Sequence, residues 1–181
     1  MPATIIRAMR RFLLLAVLLG AWVAACTPAF DWRVVQAPDG DVEMQFPCKP
    51  TSQTRSVMLG DTPVTMTVAS CTAQGLTFGF AQADVGEPAR VTPALIALRA
   101  ALAANLDARE LRSGAFALQG TTPNEQAVRV RCAGRSRDGE PLAAEAAFFA
   151  RGMRVYQATV LGAQLPAQVI DVFFDNLRIA A

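Results

Sequence analysis

The sequence predicts an α+β fold: a single domain with an antiparallel β-sheet of about seven to nine strands layered with two helices, after a cleaved N-terminal signal helix. Three observations lead there. Short segments of alternating apolar and polar residues recur along the chain, separated by turns rich in Gly, Pro and Asp, which is how half-buried strands read. Two segments instead carry helical apolar stripes, at Leu95, Leu98, Leu102 and Leu106 and at Ile170, Phe173, Phe174 and Leu177. The first 25 residues have the charge and length of a targeting segment, not of a folded domain.

That targeting segment comes first. Arg7, Arg10 and Arg11 form a positive start with no acid nearby, and Phe12 to Ala25 follows as an apolar run of 14 residues. A membrane-spanning helix needs about 20 apolar residues, so the run suits a signal sequence better. It ends in Val23-Ala24-Ala25-Cys26. This resembles the lipobox of bacterial lipoproteins, where a peptidase cuts between small residues and the cysteine thiol carries a diacylglyceryl group. The resemblance implies removal of residues 1–25, acyl chains such as palmitate on Cys26, and stable membrane attachment, since several chains hold where one is marginal. Thr27, rather than an Asp, after the cysteine implies sorting to the outer membrane, on its inner leaflet facing the periplasm. Residues 26–30 then form a short tether and 31–181 the single domain.

The domain begins with Trp32 to Ala37 and Val42 to Phe46, a hairpin around Pro38-Asp39-Gly40, because Asp-Gly favours tight turns. Thr54 to Leu59 and Val64 to Cys71 form a second pair, turned at Gly60-Asp61. Leu76 to Val85 follows, with Leu76, Phe78 and Phe80 on one face, which reads as core. Thr92-Pro93 marks a helix start, a capping hydroxyl before a proline at the first helical position. Four more strands come next: Leu111 to Leu118, Gln126 to Gly134, Leu142 to Arg151 and Met153 to Leu161. Their short connections make them successive antiparallel neighbours. Val155, Tyr156, Ala158 and Val160 place apolar groups on both faces of the last, which therefore belongs in the middle of the sheet. Pro166 to Leu177 is the closing helix. There is no internal repeat or low-complexity stretch.

Charge narrows the function. The whole chain has 17 Lys+Arg and 15 Asp+Glu; without the three signal arginines, 14 basic residues face 15 acidic ones, a net of −1. Nucleic acid would ask for a clearly basic domain. The chain has no histidine, which excludes Ser-His-Asp and Cys-His catalysis and most zinc or iron sites. Lys49, the single lysine, sits between Cys48 and Pro50 and reads as solvated, not as half of a Ser-Lys dyad. Asp39, Asp41 and Glu43 lack the full ligand series of a calcium loop. No cofactor is implied.

With Cys26 lipidated, three cysteines remain. Alternation in Gln126 to Gly134 puts Cys132 with Val128 and Val130 on the apolar face, a buried free thiol. Cys48 and Cys71 lie at the ends of strands flanking one hairpin and are expected to be bonded, as suits an oxidising compartment.

The order of elements, with Phe46-Pro47 and Pro50, the Gly152-Met153-Arg154-Val155-Tyr156 strand entry and the final Phe173-Phe174-Asp175-Asn176-Leu177 segment, resembles the PsbP-like fold. That resemblance implies a sheet layered with helices and a largely non-enzymatic role as a subunit, assembly factor or binding protein. It lies in core positions and carries no functional residue.

Arg129, Arg131 and Arg154, with Arg135, Arg137 and Arg151, fall on consecutive strands and form the candidate patch for an anionic lipid or acidic partner. Against it stands a solvated face laced with Glu140 and Glu145. Two functions follow. The first is a membrane-anchored, non-enzymatic interaction or assembly protein that meets a periplasmic or envelope protein. The second is a small-ligand or lipid-binding module with a cavity between sheet and helices.

Overall fold

The computed structural model describes residues 30–37 and 40–180. The signal segment, the lipobox with Cys26, most of the tether, and Pro38 and Asp39 of the first turn lie outside the described residues. The elements are β1 (Arg33–Gln36), β2 (Val42–Phe46), β3 (Thr51–Leu59), β4 (Thr62–Ala73), β5 (Leu76–Asp84), α1 (Val91–Asn105), β6 (Arg109–Ala115), β7 (Val128–Arg135), β8 (Pro141–Arg151), β9 (Arg154–Gly162), α2 (Ala167–Asp175) and β10 (Arg178–Ile179). The fold is α+β with two helices and antiparallel sheets. The strands divide between two sheets, however, where a single one of seven to nine was expected.

The large sheet runs β3-β4-β5-β9-β8-β7-β6, antiparallel throughout. β9 lies at its centre, as its two apolar faces predict; Val155, Tyr156, Ala158 and Val160 are all buried. The first hairpin does not join this sheet. β1, β2 and β10 make a three-stranded sheet of their own. The reason is visible in β2, where Val42, Met44 and Phe46 are buried and Glu43 and Gln45 are less so: the ribbon lays one apolar face on the large sheet instead of extending it.

Each face of the large sheet has its own core. On one side the small sheet and α2 bury Phe46, Phe78, Phe80, Phe149, Tyr156 and Phe173, with Phe78 and Phe80 in the core as their spacing predicts. On the other, α1 packs Leu95, Leu98 and Leu102, with Leu106 just past its end, against Val130, Phe148 and Val155. The helix starts differently from its sequence reading. A short 3₁₀ turn at Pro88–Arg90 leads directly into Val91, and the first residue has no side-chain cap. Pro93 is thus the third helical residue, and the Thr92 hydroxyl instead accepts a hydrogen bond from Asn124 Nδ2 at 2.8 Å. The closing helix is also shorter than expected. It ends at Asp175, and Leu177 is buried just beyond it before the chain enters β10.

Cys48 and Cys71 form a disulfide with Cα atoms 6.0 Å apart, joining the entry of β3 to β4. Cys132 is free and buried. Burial pushes its thiol pKa up, with Glu110 adding to the rise and Arg99 opposing it, which favours the thiol over the thiolate. Among the described residues, no helix is long and apolar enough to cross a membrane.

Candidate functional site

The three expected arginines do not form one patch. Arg129 and Arg131 lie on β7, and Arg154 begins β9 on the same face but far along it. Glu145, beside Arg131 on β8, pairs with Val160 of β9. Six residues separate Val160 from Arg154, roughly 20 Å of strand. Arg154 belongs to a second cluster, described below. Arg135 turns to its own hairpin and donates to the Gly139 carbonyl at 2.8 Å.

What gathers Arg129 and Arg131 is Glu145. Its side chain is 1% exposed, in an otherwise apolar stretch of alanines and phenylalanines. A buried carboxylate must be paired to remain charged. Arg129 Nε donates to Oε1 at 2.7 Å and Arg131 Nη1 to Oε2 at 3.2 Å. Arg129 is further fixed by its guanidinium lying 4.3 Å over the Phe174 ring and 3.5 Å from Asp171 of α2. Arg131 also donates to the Leu165 carbonyl at 3.4 Å.

A third arginine, absent from the expected set, completes the group. Arg112 of β6 stands 3.6 Å from Glu145 with 71% of its side chain exposed. Its position depends on a β-bulge. Glu110 pairs with Cys132 and Arg112 with Arg131, so Leu111 is an extra residue with no partner on β7. Without it, Leu111 would face Arg131. The bulge moves Arg112 onto the row Arg112–Arg131–Glu145 across three strands and leaves Leu111 54% exposed. Two residues on, Gly114 lies beside Arg129, and a Cβ there would meet nothing within 4 Å. The result is a cleft of about 280 Å³ between β6, β7 and α2, lined by Arg112, Gly114, Arg129, Glu145 and Asp171 among others.

The second cluster clips the two sheets together. Asp41, at the turn into β2, receives Arg154, stands 3.5 Å from Arg151, and accepts a 3.4 Å hydrogen bond from the Tyr156 hydroxyl. Burial, reinforced by the Asp41 carboxylate and opposed by the two arginines, pushes the Tyr156 pKa up to about 12. Asp41 is thereby engaged with cations of the protein itself. Lys49 is exposed beside the disulfide. Among the described residues, no three His, Cys, Asp or Glu side chains converge as a metal would need.

One further hollow, of about 320 Å³, lies between α1 and β7. It is mainly apolar, open to solvent, and lined by Ile96, Leu102, Ala103, Val130 and Cys132, with the Arg99–Glu110 ion pair at 2.6 Å on its rim.

No family model matches this chain, and no curated protein matches it significantly.

Proposed function

We propose that the chain is a lipid-anchored protein of the bacterial cell envelope that acts by binding another envelope protein, without chemistry of its own. Its anchor is Cys26, its location the periplasmic leaflet of the outer membrane, and its fold of the PsbP-like kind. The lipobox residues support the address, and the disulfide fits an oxidising compartment.

The observation that carries the interaction reading is the outer edge of β3. This strand runs nine residues in unbroken register with β4, has no proline and carries one charge, Arg55. Residues 51–56 are exposed, and no strand among the described residues pairs with the other side. Edge strands are ordinarily guarded by charge, proline or bulges because their free N–H and C=O groups recruit other strands. The opposite edge, β6, is guarded in this way by its bulge and by Arg109, Glu110 and Arg112. An unguarded edge suits a partner that adds a strand. Beside it the sheet face is uncharged, floored by Ser70, Thr77, Gly79, Ala81 and Thr159.

The test is site-specific photocrosslinking in native membranes. A crosslinker at Gln53 is expected to yield a discrete adduct, one at Arg109 none, and Ser52→Lys with Ser56→Lys is expected to abolish the first. The same adduct from the lysine variant would overturn the reading. The ligand-binding alternative draws on the apolar groove beside α1, and saturable uptake of a fatty-acid probe sensitive to Ala103→Phe would favour it instead.

A further inference from the structure

The cleft at Glu145 has more cationic groups than its carboxylate requires. Arg129 and Arg131 already satisfy both Glu145 oxygens, at 2.7 and 3.2 Å. Arg112 is surplus: its one ion-pair contact, at 3.6 Å, is too long for a hydrogen bond, and 71% of its side chain is exposed. Across the cleft, Asp171 is in the mirror situation, 60% exposed with one ion-pair contact at 3.5 Å. One wall thus presents a largely exposed guanidinium and the other a largely exposed carboxylate, each with a single long ion-pair contact, above a floor where two arginines share one carboxylate. Two local features hold this arrangement open. The Leu111 bulge aims Arg112 into the cleft, and Gly114 leaves its floor empty.

A plain anion would be drawn to Arg112 and repelled by Asp171. A ligand that carries both charges complements both walls. Guanidinium forks match phosphate oxygens, and a primary ammonium suits a carboxylate. The position of the cleft supplies the source. The row Arg112–Arg131–Glu145 continues through Val160 to Phe78, on which Trp32 packs edge-on at 6.1 Å. Glu145 is two strand spacings from Phe78, about 10 Å. The cleft therefore shares a row of the sheet with Phe78 and Trp32, at the end where the described chain begins, the end a lipid anchor would hold against the bilayer.

We propose that this cleft binds the phosphoethanolamine headgroup of a membrane phospholipid, with phosphate on Arg112 and ammonium on Asp171. The choice of a lipid source rests on the anchored reading; the binding chemistry does not. The probe is therefore soluble. The full chain in a non-ionic detergent is titrated by calorimetry with glycerophosphoethanolamine, and in parallel with glycerophosphoglycerol, which keeps the phosphate and lacks the ammonium. Saturable binding of the first is expected, about tenfold weaker binding of the second, and about tenfold loss with either Arg112→Gln or Gly114→Val. Gly114→Val removes no charge and its Cβ meets nothing within 4 Å, so it separates occupancy of the cleft from general electrostatics. Equal binding of the two probes, absent saturation, or full binding by Gly114→Val would overturn the proposal. Cys26→Ala is expected to leave the titration unchanged while releasing the protein from membranes. Its retention there would refute the anchor and leave the cleft standing.

Discussion

Tyr156 is the single tyrosine of the chain, which makes its ionisation directly observable. In the folded protein its pKa is pushed up to about 12, chiefly by burial. In the unfolded chain it ionises near 10. The group is raised, so its contribution is fully present below pH 10 and declines as pH rises towards 12, because only the unfolded chain releases the proton in that window. Two pH units correspond to about 3 kcal/mol. Urea denaturation at stepped pH is expected to show this fall, and tyrosinate absorbance to rise only with unfolding. Tyr156→Phe is expected to flatten the profile between those limits; an unchanged fall would assign it elsewhere. The hydroxyl reaches Asp41, so the same residue shows how much of the polar architecture the sequence disclosed. Strand alternation identified Arg129 and Arg131 as facing away from the apolar side. It did not disclose that Glu145 binds them, although a lone acid within Leu142–Phe149 is itself a signal that a buried partner is needed. Arg112 was illegible for another reason. Period-two counting fails across a bulge, and nothing local to Leu111 announces one.

At the scale of elements, β3 depends on its first residue being held. Thr51 pairs with Ser70, directly beside Cys71, and Cys48 is bonded to Cys71. The disulfide closes a loop with a sequence separation of 23, which on the chain-entropy model stabilises by about 3 kcal/mol. The Cys48→Ala, Cys71→Ala pair is expected to lose about that much in urea denaturation, with hydrogen exchange rising first in Thr51–Gln53. Uniform acceleration across β3 and β9 would mean that the bond steadies the whole sheet, not one edge. β3 also shows where the strand pattern was hard to read. Thr51, Ser52 and Gln53 are exposed on both faces, so they carry no apolar alternation, and the strand was expected to begin at Thr54. β10 has two residues, too few for any period. The sequence places β6 too late, at Leu111–Leu118, because Phe116 and Leu118 look like strand residues. They pack on the core after the strand has ended at Ala115. The long segments β5, β8, β9 and both helical stripes were legible because each buries enough apolar surface to impose its own period.

The whole molecule has two distinct ends, and the proposed anchor assigns them. Phe30 lies tilted against Trp32 at 5.9 Å, Trp32 packs on Phe78 at 6.1 Å, and the Asp31 amide donates to the Pro47 carbonyl at 3.0 Å. The start of the described chain is thereby fixed to the end that carries the disulfide. The β8–β9 turn with Gly152 and Met153 forms the other end. Val160 pairs with Phe78, and Met153 lies seven residues along the strand direction, roughly 20 Å away. Four residues from Cys26 to Phe30 reach at most about 14 Å when fully extended. A lipid on Cys26 would therefore hold the domain upright by its Trp32 end. The chain has two tryptophans, Trp22 and Trp32, and removal of the signal leaves only Trp32. Fluorescence of the processed protein in vesicles with nitroxide-labelled headgroups reads its depth directly. Trp32 is expected to be strongly quenched. In a Trp32→Phe, Met153→Trp variant, which moves the reporter to a 40% exposed turn position, quenching is expected to be slight. Equal quenching at the two positions would mean that the domain lies flat on the bilayer.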